Sequence, residues 1–269
     1  MSAMTSLLEN LRGISRTCGT RTTLAYLGAA VSVLLDVRRG RSLAPADRKM
    51  AGRRWPYTVQ GVTIELDGRF FSGAREMYCR RVYFPTSAFD LVPGAAVVDL
   101  GANVGLFSLL AAKVGCRVLA VEAQRGFARE LTDLAARHDV ASRITVENVL
   151  VGSGSGIFAG EKRVVASSDS EGFQPPVVSM EALLARNGFD CVDFLKTDIE
   201  GSEFDLFRDA PAWLASVRRI AMEVHPEFGS VDDLRASIES LGLSVELRDN
   251  RLSVVGQLPP DGGYLFAIR

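Results

Sequence analysis

From Ala95 onward, short apolar runs alternate with longer stretches whose apolar positions recur every three or four residues. The runs at 95–100, 117–122, 143–149, 192–198 and 218–224 read as buried strands, with 243–247 and 264–268 as the last two. Helical stretches between successive runs imply a mostly parallel, seven-stranded sheet with helices on both faces, an α/β architecture. Ahead of it, Val62, Ile64 and Leu66 alternate with Thr63, Glu65 and Asp67, the pattern of a half-buried strand closed by Asp67-Gly68. Residues 75–91 read as a helix broken at Pro85, and the first fifty residues as helical and basic. Gly152 to Ser170 is rich in Gly and Ser and reads as a long loop, of a length that suggests a functional excursion. The expected organisation is an N-terminal extension over 1–50, a strand–helix subregion over 51–91 and an α/β core over 92–269.

The first candidate chemistry lies where the strand 95–100 empties into a turn: Val97-Val-Asp99-Leu-Gly101-Ala102-Asn103-Val-Gly105. Glycines there let the chain turn sharply and approach a ligand closely, and ligands of open parallel sheets sit at such strand ends. The second strand ends in Glu122, followed by Ala123, and an acid at that place can accept both hydroxyls of a ribose. A dinucleotide fold would want G-x-G-x-x-G to seat a pyrophosphate, and Ala102-Asn103 stands where its middle glycine is needed. Asp99 suits a cationic amine better than a phosphate. An amino acid, a ribose and an adenine in one ligand meet these demands, and S-adenosylmethionine is that ligand.

The second constellation is Asp193-Phe-Leu-Lys196-Thr-Asp198-Ile-Glu200-Gly201-Ser-Glu203, a buried strand running into an acidic turn. Alternation puts Lys196 and Asp198 on one face. Glu203 fits the first turn of the next helix, where the dipole favours an acid. The following strand ends Glu223-Val-His225-Pro226. Asp198, Glu223 and His225 are the catalytic candidates, with His225 as a base titrating at about 6–7. A metal-free route is the first expectation, with Asp198, Glu200 and Glu223 as the set that would hold Mg²⁺ in the alternative.

Composition narrows the classes. The net charge of −1 gives no global field for nucleic acid. Cys18, Cys79, Cys116 and Cys191 are scattered without metal-ligand spacing and suit a reducing cytoplasm. Leu24 to Leu35 is an apolar run too short to span a bilayer, flanked by Arg21 and by Arg38-Arg39-Gly-Arg41. It reads as a helix packed on the domain or on a partner subunit of a homo-oligomer. The sharper reading is an interfacial anchor over 21–41, peripheral at the inner face of the membrane.

Together these motifs resemble the S-adenosylmethionine-dependent methyltransferases of the FkbM type. The resemblance rests on Val97–Gly105, on Val178-Ser-Met-Glu-Ala-Leu-Leu, on the Lys-x-Asp-x-Glu-Gly-x-Glu element ending at Glu203, and on Glu-Val-His225. It covers residues 92–268 and departs at Glu122-Ala-Gln, where the family commonly has Glu-Pro. It implies a class I, Rossmann-like fold and methyl transfer to a hydroxyl of a small molecule or glycan, with a sugar first and a polyketide or macrolide second. Asp99, Gly101, Asn103 and Gly105 would then line the methionine end, Asn148 and Val149 at the third strand's end would flank the adenine, and Asp198, Glu200, Glu223 and His225 would face the acceptor. An NAD-type oxidoreductase and a non-catalytic nucleotide-binding module are the readings from other classes.

Overall fold

The computed structural model describes residues 3–33, 43–152 and 175–269. Most of the expected loop at 152–170 and residues 34–41 of the basic-flanked segment therefore lie outside the described residues. The chain divides into two compact units, Met1–Val82 and Tyr83–Arg269.

The first unit is built on α1 (Ala3–Ser32), two helical stretches meeting at Gly19, and on a short α2 (Ala44–Lys49). Strand β1 (Arg54–Val59) pairs antiparallel with β2 (Val62–Asp67) across a Gln60-Gly61 turn in which both residues have positive φ, the geometry that matches strand twist. β1 places Trp55, Tyr57 and Val59 on its buried side, and β2 adds Ile64 and Leu66. The helix expected at 75–91 does not form. In its place stand α3 (Phe71–Ala74), one π turn (Arg75–Cys79) and an irregular segment carrying a 3-10 turn at Ser87–Phe89. Arg81 adopts a positive φ, and the residue before Pro85 is biased away from the helix.

Phe71 is the hub of this unit. Its ring stacks on Tyr26 of α1 at 5.4 Å and meets Trp55 and Tyr57 at 6.3 and 6.4 Å. Beside it the buried Arg75 guanidinium donates to both carboxylate oxygens of Asp47 and to Asn10 Oδ1. The thiols of Cys18 and Cys79, far apart in sequence, stand 3.8 Å apart.

The second unit is built around an eight-stranded sheet, one strand more than expected. Strands β3 (Ala96–Leu100), β4 (Arg117–Val121) and β5 (Ile144–Glu147) run outward in parallel from the centre. A separate two-stranded pair joins β6 (Leu150–Val151) to β7 (Val177–Val178). β8 (Phe194–Thr197) then returns to the other side of β3, followed in parallel by β9 (Arg219–Val224). β10 (Ser244–Asp249), a short β11 (Val254–Val255) and β12 (Gly263–Ile268) finish the sheet antiparallel, in the order β11-β10-β12-β9-β8-β3-β4-β5. The crossovers carry α4 (Leu106–Val114), α5 (Arg125–Arg137), α6 (Met180–Arg186), α7 (Glu203–Leu206) and α8 (Val231–Glu239). Ser179 and Ser230 cap α6 and α8 with side-chain oxygens that accept from the third residue on. Strand direction reverses its outward progress between β3 and β8, so the crevice for a ligand opens at their carboxyl ends.

The packing of the first unit sets the outcome of truncation. A cut after residue 50 removes Tyr26, Asn10 and Asp47 from Phe71 and Arg75. A buried aromatic ring hides about 150–250 Å², or about 4–6 kcal/mol at 25 cal/mol per Å². Residues 51–82 should therefore lose fixed structure, read as rapid tryptic cleavage at Arg54 and Arg69. Protease resistance of that segment in the truncated chain would contradict this packing.

Candidate active site at the carboxyl edge of the sheet

The cleft forms where β3, β4 and β8 end and is open to solvent. Its floor is Gly101. With φ at +70°, Gly101 passes so close to β8 that a Cβ would stand 1.7 Å from the Asp198 carbonyl oxygen. At Gly105, φ is +84° and a Cβ would press on the Leu131 side chain of α5 at 2.4 Å. Both glycines are required by space as well as by backbone angle. Val121 O accepts the N–H groups of Gly101 and Ala102, which fixes the loop to β4.

Glu122 stands just past β4 and is almost wholly buried. One carboxylate oxygen accepts from Asn103 N and the other from Gln124 N, each at 2.7 Å. Burial pushes its carboxyl up, against the pull of those two donors. A carboxylate has about four lone-pair sites, so each oxygen keeps one for a hydroxyl. Asn148 Nδ2 donates to the carbonyls of Glu122 and Ala123, and holds the turn after β4 in place. Val149, Leu150 and Val151 form an apolar shelf along the cleft.

The structure sorts the expected cofactor residues. Gly101, Asn103, Glu122, Ala123, Val149 and Asp198 line the cleft. Ala102, Gly105 and Asn148 are not among the residues that line it. Asp99 is fully buried and does not line the cleft: Ser108 Oγ donates to its Oδ2 at 2.7 Å, and Lys196 Nζ faces Oδ1 at 3.2 Å. Gln124, Leu150, Val151, Ile199 and Ser202 line the cleft without having been singled out from sequence. The cleft fits S-adenosylmethionine: a glycine floor tolerates close approach, Glu122 has acceptor capacity for two hydroxyls, and the shelf is apolar.

Where the sequence places the acceptor, carboxylates surround one imidazole. Glu203, fully buried at the start of α7, is more than a helix cap. Its Oε1 accepts from His225 N at 2.9 Å and faces His225 Nδ1 at 3.0 Å, and its Oε2 accepts from Gly201 N. His225 Nε2 points toward the exposed Glu200, 3.5 Å away. The Glu203 hydrogen bond outweighs burial and raises the imidazole to about 9, with further help from Glu200 and Asp198. This corrects the expectation of a group titrating at 6–7. Tyr83, unremarkable in the sequence, is buried with its hydroxyl between Asp198 Oδ2 at 3.2 Å and Glu223 Oε2 at 3.4 Å. Burial and those two acids hold its phenol well above the ordinary range. Asp198, Glu200 and His225 can bring one donor atom each within 4.8 Å of one another. That set has His225 where the sequence had suggested Glu223.

Comparison with known proteins identifies the family. The methyltransferase FkbM domain matches residues 99–245, from the end of β3 into β10 and over more than half of the chain. No curated protein matches the chain. Among solved structures it is similar to precorrin-6y C5,15-methyltransferase from Geobacter metallireducens, at 14% identity and a TM-score of 0.41, over 71% of this chain and 87% of that one. It is also similar to magnesium protoporphyrin IX methyltransferase from Synechocystis with bound S-adenosylmethionine, at 18% identity and a TM-score of 0.36, over 66% and 71% of the two chains. Likeness at that distance carries no substrate across. The match over the glycine loop, the acidic turn after β8 and the end of β9 makes the chain a member of the FkbM methyltransferase family, whose enzymes transfer a methyl group from S-adenosylmethionine.

Proposed function

We propose that this methyltransferase acts on a hydroxyl oxygen of a neutral polyhydroxylated acceptor, a sugar unit above all. The observation that carries the reading is the Glu203–His225 pair, which turns His225 Nε2 toward Asp198 and Glu200 at the edge of the cofactor cleft. Bound S-adenosylmethionine supplies an electrophilic methyl group and leaves as the neutral thioether. Gly101 and Glu122 would hold the cofactor, and Val149 and Val151 would lie against its apolar base. Asp198, Glu200 and Glu223 accept hydroxyl protons, and the donors they suit are those of a polyol. The same acids would repel a phosphorylated or nucleic-acid acceptor. A macrolide hydroxyl is the alternative acceptor, but offers fewer donors to so many carboxylates.

His225 takes the acceptor proton at Nε2 while Glu203 holds Nδ1–H. Glu203 fixes the ring orientation and stabilises the imidazolium that results. A second way to acidify the hydroxyl is Mg²⁺ or a similar cation across Asp198, Glu200 and His225, whose donor atoms are close enough. The base reading is simpler, because a buried carboxylate already orients the ring.

Glu122→Ala should weaken S-adenosylhomocysteine binding in calorimetry by about 1.5–3 kcal/mol, and Glu122→Gln by less, since one acceptor oxygen remains. Undiminished affinity in Glu122→Ala would remove the ribose assignment. His225→Ala should lower turnover by about 10²–10⁴ with that affinity intact. The basic form of His225 appears only as pH rises through its raised value, so turnover should climb with pH and level off above about 9. Glu203→Gln should move that limb to lower pH, because the charge that raises the imidazole is gone. A limb that stays in place would exclude His225 as the base. Turnover should survive EDTA. Loss restored by Mg²⁺ or Mn²⁺ would establish the metal route instead.

A further inference from the structure

We propose that the outer face of α1 docks on an anionic lipid surface. Leu24, Leu27 and Val31 are 64%, 39% and 57% exposed. Their spacing puts them on one side of the helix, with Gly28 between them. On the opposite side of the same helix Tyr26, Ala29 and Ala30 are buried. Arg21 and Ser32 fall along one flank of the exposed stripe. The Lys49 ammonium, from α2, donates to Ser32 Oγ at 2.7 Å. A cation therefore stands near each end of the stripe. Arg12 and Arg16 are exposed on the preceding stretch of α1, where Glu9 is the one exposed acid among the described side chains.

Charge is divided unevenly along the chain. Residues 1–82 carry fourteen Lys and Arg against six Asp and Glu, a net charge of +8. Residues 83–269 carry seventeen against twenty-six, a net charge of −9. The near-neutral total hides a basic unit, and a basic flank beside an exposed apolar helix face is the pattern of an interfacial helix. Lipid headgroups take the cations while Leu24, Leu27 and Val31 enter the acyl boundary. A nucleic acid would use the cations and leave the leucines wet. A second copy of the chain packed symmetrically on the stripe would set like cations beside one another. No described helix is long and apolar enough to cross a membrane, so the contact proposed is peripheral.

The test is sedimentation of the full-length chain with vesicles, beside light scattering and S-adenosylhomocysteine binding. The chain should pellet with phosphatidylglycerol–phosphatidylcholine vesicles and stay in solution with phosphatidylcholine alone. Leu24→Gln with Val31→Gln should cut the bound fraction about tenfold or more, and so should Arg21→Glu with Lys49→Glu. Both pairs lie on the surface and should leave cofactor binding unchanged, which verifies their fold and keeps this result separate from the methyl-transfer reading. Three results would overturn the proposal: no pelleting by the wild type, equal pelleting by the Leu24→Gln, Val31→Gln pair, or a dimer in light scattering that this pair dissolves. Binding of single-stranded RNA that survives the same pair, without vesicle binding, would assign the basic unit to nucleic acid.

Discussion

A buried ammonium organises the catalytic edge. Lys196 of β8 is 2% exposed, and its Nζ lies 2.8 Å from Gly101 O, 3.3 Å from Leu100 O, 3.2 Å from Asp99 Oδ1 and 3.9 Å from Asp198 Oδ2. Burial works against the charge, yet Asp99 and Asp198 together hold the group above its ordinary value. A charge so placed cannot lose its partner cheaply: an uncompensated buried ion costs about 3–5 kcal/mol. Asp99 is thereby committed to Lys196 on one side and to Ser108 of α4 on the other. The pair clamps the end of β3 to the end of β8. At that register Gly101 meets the Asp198 carbonyl, and no side chain larger than hydrogen fits between them.

The remaining acids divide according to what else they hold. Glu122 gives half of its acceptor capacity to the backbone of the glycine loop and keeps the rest for a ligand. Glu203 gives all that the structure shows to Gly201 N and His225. Asp198 and Glu223 share the single hydroxyl proton of Tyr83, which can serve only one of them at a time. Glu200 is exposed at the mouth. Burial thus falls from Glu203 and Glu122, which hold the backbone of the edge, to Glu200, which faces His225 at the surface.

Much of this was legible in the chain. Buried parallel strands are near-continuous apolar runs, and the runs at β3, β4, β8 and β9 declared both strand and direction. The glycine loop and the acids after β4 and β8 followed from their places at strand ends. What was hidden depended on contacts distant in sequence. β1 escaped because Pro56 interrupts it and its buried residues are mostly aromatic, while charged Arg54 opens it. Tyr83 is 115 residues from Asp198, and nothing local marks its hydroxyl as a partner. Asp99 misled in the opposite way: its position at a strand end pointed to the crevice, but the Lys196 ammonium draws it behind the loop. Glu203 read as a helix cap because its spacing satisfies that role, and only the approach of β9 shows the imidazole it serves.

The opposite charges of the two units give the acceptor argument its last step. A net −9 over residues 83–269, with Asp198, Glu200, Glu203 and Glu223 gathered at one edge, repels anions from the place where chemistry occurs. A neutral hydroxylated group meets no such barrier and finds acceptors for its protons. An anionic surface, by contrast, attracts the +8 of residues 1–82. On the proposed reading, an anionic bilayer would hold the chain through residues 1–82, while residues 83–269 would favour an uncharged acceptor. A glycolipid, an uncharged sugar displayed on a charged surface, would meet both proposed preferences, where a free polyketide alcohol would meet one.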